Sequence, residues 1–256
     1  MKSSWNNEYY DIMNFYYWEP QHLGKIKNPN SKIQSIHDAL SHIAKMEVSL
    51  NHQFNLFFQL LPSVILNDIL NKIDNNYIST DRLSYQSIED INTLNLNDAT
   101  QPDVFFKSNK DLVAIEFKLG TKSSIEQIMK YATLFHFTEL HHEMEFAHHL
   151  IYVGRDNFST MFKEKFFSID IVQSAIEMAH IPDTTKKGYV NLIPHKERIT
   201  KIAKNLHLSF VSYQELYNIF SYFVNYIDAS NPFSETIIKL FSGMNNELVF
   251  RELVRA

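Results

Sequence analysis

An α/β fold is what the sequence predicts, and three observations predict it. Residues 103–106 and 112–119 read as two short strands about the turn 107–111. A helix signal follows at once, from near Ser124 towards His141, and then another apolar run at 150–153, ended by Gly154. Amphipathic helices flank this segment on both sides.

Taken in order, the first flank is a stripe of Ile36, Leu40, Ile43, Leu50, Phe54, Phe57 and Leu61, spaced by three and four as one helix face requires. Glu47 fills the slot between Ile43 and Leu50. A carboxylate in line with core positions is costly unless it is paired, hydrogen-bonded or bound to a metal. Residues 64–76 suggest a second helix, and 77–100 are polar, with one weak strand signal at 85–91. In the strand 112–119, Ala114, Glu116 and Lys118 share one face and Ile115, Phe117 and Leu119 the other. Ser123 and Glu126 have the spacing of a capping box for the next helix. Beyond 154, helices are expected at 157–166 and 169–180, strands at 189–193 and 208–213, and closing helices at 214–228 and 232–253, with Pro232 in the first turn of the last. The aromatic start (Trp5, Tyr9, Tyr10, Phe15, Tyr16, Tyr17, Trp18) reads as a packing arm or a dimer contact.

Several function classes fall away. The 256 residues hold five isolated glycines (Gly24, Gly120, Gly154, Gly188, Gly243), so no dinucleotide fingerprint, phosphate loop or nucleophile elbow can be written. Cysteine is absent, which removes thiol catalysis, disulfides and thiolate metal sites. The first twenty residues lack the apolar core of a signal peptide. The most apolar run, 54–66, is interrupted by Gln59, Pro62 and Ser63 and is too short to span a bilayer. A cytoplasmic protein with no membrane partner is the expectation. A net charge of −5 argues against non-specific coating of nucleic acid but allows a local basic strip. Twelve histidines invite a metal reading, yet His142-Glu143-Met144-Glu145-Phe146 ends in Phe146 where a zinc-protease helix needs histidine. The two Glu-x-x-His spacings, Glu139/His142 and Glu145/His148, overlap in one segment and cannot face each other across a bundle.

Chemistry concentrates on the hairpin. Asp103 opens one strand, and Glu116 and Lys118 project from one face of the next. Two carboxylates held together repel and invite a divalent cation, and oxygen-only ligands select a hard ion, magnesium or manganese rather than zinc. The bland alternative is that Glu116 and Lys118 form an ordinary ion pair on a solvated sheet.

Pro102-Asp103 followed by Glu116-Phe117-Lys118 resembles the PD-(D/E)XK nuclease superfamily, and Gln127 with Tyr131 resembles the QxxxY motif on the helix behind its catalytic strand. The resemblance covers about 33–154 and implies a restriction-endonuclease-like core: a helix, three antiparallel strands, a helix and a further strand in a mixed sheet. The region 1–32 would be an aromatic arm, and 155–256 a C-terminal strand with extra helices of the same single domain. The resemblance further implies a Mg²⁺-dependent nuclease (Mn²⁺ substituting) that hydrolyses phosphodiester bonds, of DNA rather than RNA. Asp103, Glu116 and the Phe117 carbonyl would bind metal, and Glu47, which fits the acidic residue on the family's first core helix, would bind it directly or through water. Lys118 would assist the attacking water. Gln127 and Tyr131 would contact the phosphate backbone or steady Lys118. Restriction, mobile-element or phage-defence roles are typical of stand-alone members, and a homodimer would suit double-strand cutting. The alternative is a catalytically inactive relative that binds nucleic acid or protein.

Cations for a phosphate backbone are available in two clusters: Lys107, Lys110, Lys122 and Lys130 about the hairpin and its helix, and Lys186, Lys187, Lys196, Arg198, Lys201 and Lys204 further on. For the second cluster a solvated helix face is an equal reading.

Overall fold

Ser108 turns the chain at the tip of the hairpin. Its Oγ accepts from the backbone N–H groups of Lys110 and Asp111 and donates to the Asp111 carboxylate, a side-chain-to-backbone lock typical of turn serines. The strands on either side therefore pair in the register Val104↔Ile115 to Lys107↔Leu112.

The computed structural model describes Trp5, Glu8 to Tyr10, Asp38 and most of 46–255; it leaves out 75–80, 95, 97–101, 121, 156–157, 164–165, 167, 186–189, 229 and 231–232. Among the described residues the elements are α1 (Glu47–Leu60), α2 (Ser63–Ile73), β1 (Ser84–Tyr85), α3 (Ile88–Asn92), β2 (Val104–Lys107), β3 (Asp111–Phe117), α4 (Ile125–His142), β4 (Ala147–Gly154), α5 (Phe158–Met161), α6 (Ile169–Glu177), a 3₁₀ turn (Ile193–His195), α7 (Lys196–Asn205), β5 (His207–Ser212), α8 (Tyr213–Tyr226) and α9 (Ser234–Phe250). The chain forms two compact units, Phe58–Tyr213 and a second made of Met1–Phe57 with Gln214–Ala256. The span 33–154 straddles that division.

The unit Phe58–Tyr213 carries a five-stranded mixed sheet in the order β1-β2-β3-β4-β5. The β1/β2 and β2/β3 pairs are antiparallel, and β3/β4 and β4/β5 are parallel. A parallel neighbour needs a crossover, and α4 supplies it between β3 and β4. All seven residues of β3 are buried, as expected of a central strand covered on both faces. Leu112 and Ala114 of β3, Leu150 and Tyr152 of β4 and Leu208 of β5 pack in one core with Ile128, Tyr131, Leu134 and Phe135 of α4; α6 and α7 add Ile176 and Ile202 to it.

The N-terminal and C-terminal unit is built on Phe57, Phe220, Phe223 and Phe241, whose rings meet at 4.9–5.4 Å. Trp5 lies against α9: its Nε1 donates to the Leu240 carbonyl, and a Cβ on Gly243 would meet that nitrogen at 1.9 Å, so only glycine fits there. Trp5 and Tyr10 therefore pack within this unit.

Three local expectations need correction. Of the segment 85–91 only Tyr85 lies in a strand, as the last residue of β1, and α3 follows because Ser87 and Asp90 cap each other reciprocally and nucleate a helical turn. The strand expected at 189–193 is replaced by a lone bridge, Thr184↔Asn191, and the 3₁₀ turn, where Pro194 has no N–H to give a ladder. The helices expected at 157–166 and 169–180 shorten to α5 and α6. Ile36, Leu40, Ile43 and Pro232 lie outside the described residues.

Candidate active site

The β2/β3 register, carried one step beyond Val104↔Ile115, sets Asp103 beside Glu116. Asp103 is tied there: its Oδ2 accepts from the backbone N–H of Phe117 at 2.8 Å. Glu116 is 5% exposed and points to the α4 side of the sheet. A buried carboxylate needs donors, and Glu116 has three. Lys118 Nζ lies 2.5 Å from its Oε1, Gln127 donates from Nε2 to the same oxygen, and the Tyr131 hydroxyl donates to Oε2. Gln127 and Tyr131 reach one carboxylate together because they are one turn apart on α4.

Burial, then the negative charges of Glu116 and Asp103, push the Tyr131 phenol well above its usual pKa. It stays protonated and remains a donor. Tyr152 stands directly across from Glu116 in the β3/β4 register; burial raises its phenol too. Lys118 donates its own backbone N–H to Val153, which extends the β3/β4 pairing past the last strand residue and anchors the side chain's base.

The cluster sits at the carboxyl end of β3, where β3 and β4 run parallel. In open α/β sheets that end is where ligands bind. Its oxygen donors suit a hard divalent cation, which takes one or two carboxylates and keeps several waters. Among the described residues, no group of three or more His, Cys, Asp or Glu side chains is arranged to hold a metal.

Sequence reasoning brought Asp103, Glu116, Lys118, Gln127 and Tyr131 to the site, and the structure gathers these five. Glu47 opens α1 in the other compact unit and is half-buried. It is the first residue of that helix, not a position within a longer described one.

Two site residues were missed. Ser123 was assigned to a capping box, but its hydroxyl instead lies 3.0 Å from Gln127 Oε1 and 3.0 Å from the Tyr152 hydroxyl. The N-cap of α4 is Ser124, whose side chain makes no capping bond, a forfeit of about 1 kcal/mol for a helix start. Tyr152 looked like one more apolar strand residue, and only the register across β3 and β4 reveals its place.

The basic clusters divide. Lys107, opposite Leu112, lies roughly 13 Å along the strands from Glu116, and Lys110 at the hairpin tip roughly 20 Å. Lys122 and Lys130, both exposed, flank the Glu116 end in sequence. In the second cluster Lys196 pairs with Asp183, Arg198 with Glu139 and Glu145, and Lys204 with Glu177. The charge of these three is met locally; Lys201 is exposed, and Lys186 and Lys187 are outside the described residues. No helix among the described residues is long and apolar enough to cross a membrane.

Set against models of known protein families, curated proteins and solved structures, the chain matches none.

Proposed function

We propose that the chain is a divalent-metal-dependent phosphodiesterase, a nuclease of PD-(D/E)XK type acting on DNA. The observation that carries this reading is the convergence of Lys118, Gln127 and Tyr131 on Glu116. Asp103 stands beside it, anchored on the Phe117 N–H. A strand order of three antiparallel strands, a crossover helix and a parallel fourth strand supports the same reading.

In this reading Asp103, Glu116 and the Phe117 carbonyl would hold Mg²⁺, or Mn²⁺ in its place. Such an ion lowers the pKa of a bound water and offsets charge on the phosphate. Asp103 is held by its backbone anchor, and Glu116 by Gln127 and Tyr131, so the two carboxylates keep their relation when phosphate arrives. Lys118 shares Glu116 Oε1 with Gln127, so its ammonium stays at the site, where it would orient an attacking water and offset charge developing on phosphate oxygens. Exposed Lys122 and Lys130 give the backbone of a nucleic acid its nearest cations in sequence.

The test is cleavage of supercoiled plasmid and single-stranded DNA in Mg²⁺ and in Mn²⁺, with EDTA and Lys118→Ala as controls. Metal-dependent cutting that disappears in the variant is expected. A folded wild type that binds DNA without cutting would instead point to a binding module, and cutting retained in Lys118→Ala would remove the lysine from the site.

A further inference from the structure

Glu116 can use the Gln127 amide only in one orientation. Turned by half a revolution, the amide would aim its oxygen at the carboxylate, and two acceptors would face each other. The acceptor-only carboxylate selects that orientation, and Ser123 supports it from behind Gln127, where its Oγ is 3.0 Å from Oε1. An amide oxygen only accepts, so the single Ser123 hydroxyl proton goes there. The Tyr152 hydroxyl, also 3.0 Å from Ser123 Oγ, must then donate to it. The directions are consistent from end to end: Tyr152 to Ser123, Ser123 to Gln127, Gln127 to Glu116.

Each member behind Gln127 is held. Ser123 is fully buried, its N–H donates to the Met161 carbonyl, and its carbonyl accepts from Lys163. Tyr152 is fully buried near the carboxyl end of β4 and packs edge-on against Phe162 at 5.4 Å. Ser123 is thus placed by the segment after β4, not by the helix it precedes. The Ser123 hydroxyl meets a side chain of α4 and a tyrosine of β4 instead of a free backbone N–H at the helix start, and departures from local rules gather at functional sites.

We propose that Ser123, oriented by Tyr152, is a positioning residue that locks the Gln127 amide as a donor to Glu116. The proposal rests on the nuclease reading and adds to it the pair that sets the carboxylate's geometry. Outer partners that orient a ligating group typically change affinity or activity by about 10–100-fold when removed.

The experiment compares wild type, Ser123→Ala, Gln127→Ala, the double variant and Tyr152→Phe. It measures single-turnover DNA cleavage, Mn²⁺ affinity by calorimetry and the thermal midpoint. Ser123→Ala is expected to slow cleavage by roughly 10–100-fold while the midpoint stays near wild type. The double variant is expected to be no slower than Gln127→Ala alone, because Ser123 acts through Gln127. A purely structural serine would lower the midpoint and multiply the Gln127→Ala loss. Tyr152→Phe is expected to move cleavage the same way by less, and it carries the test should Ser123→Ala not fold. Wild-type rates in Ser123→Ala, or in Tyr152→Phe where it stands in, overturn the inference alone, as do multiplied losses in the double variant. A wild type that neither cuts nor binds Mn²⁺ overturns the nuclease reading and the inference with it.

Discussion

Glu116 and Glu247 are buried with the same kinds of partner, and they teach opposite lessons. Each accepts from a tyrosine hydroxyl, a glutamine amide and a cation close by in sequence: Tyr131, Gln127 and Lys118 for one, Tyr10, Gln53 and Arg251 for the other. Glu247 lies within α9 with no exposure, and Arg251 spends its further donors on Tyr10, Ser49 and the Met46 carbonyl. Arginine keeps its charge, and its planar fork is satisfied on all sides. That arrangement ties the N-terminal segment and α1 to α9 within one unit. Glu116 sits at a strand end with a second carboxylate beside it, and its cation is a lysine, a compact charge on a flexible stem. The same donors around one enclosed carboxylate make a brace; around one of two neighbouring carboxylates at the carboxyl end of a parallel strand they would, under the proposed function, hold a metal ligand in place.

Removing a partner should separate the two. The largest effect is expected from Arg251→Ala, which strands a fully buried carboxylate and should cost about 3–5 kcal/mol of stability, read from denaturant unfolding. Glu116→Gln is expected to lower metal-dependent cleavage by at least about 100-fold while shifting the unfolding midpoint less than Arg251→Ala does. A midpoint loss as large as that of Arg251→Ala, with cleavage intact, would make Glu116 a second brace.

Histidines sharpen the comparison through pH. His149 lies between Asp111 at 3.6 Å and Asp74 at 3.7 Å, with His207 stacked on it at 5.0 Å. Burial draws its pKa down, but the Asp111 and Asp74 carboxylates outweigh burial and hold it above the usual value. The folded state thus holds this proton more tightly than the unfolded one. Its contribution is complete below about pH 6.5 and is lost as pH rises through the raised value. His148 is the reverse: burial, against the pull of Glu139, lowers it to about 4. The fold resists its protonation, so stability drains as pH falls from about 6.5 towards 4. Melting midpoints across this range should show His149→Asn flattening the alkaline limb and His148→Asn the acid one.

The smallest effect is expected at the helix starts. Ser168 accepts from the Ile171 N–H and caps α6, whereas Ser124 makes no such bond. Ser168→Ala should cost about 1 kcal/mol and Ser124→Ala less than about 0.5 kcal/mol, measured by thermal unfolding. Equal losses would mean that Ser124 caps α4 in solution.

Much of this was legible before any coordinates. Short apolar runs about a turn marked β2 and β3, and a helix signal followed by an apolar run marked α4 and β4, because such runs and a helix's stripe are local properties. The residue types at Asp103, Glu116, Lys118, Gln127 and Tyr131 were visible on the same grounds. Less legible was the segment before β2, where β1 holds only two residues, too few for any period to show.

By itself the sequence determined which side chains could share a face, since those spacings are set by backbone geometry within one element. Only the tertiary structure decided which elements face one another. It placed Tyr152 across from Glu116, set the Ser123 hydroxyl between Gln127 and Tyr152, and put Glu47 and Glu116 in different compact units. Those outcomes depend on register between strands distant in sequence and on competition among hydrogen-bond partners, and neither is written in local spacing.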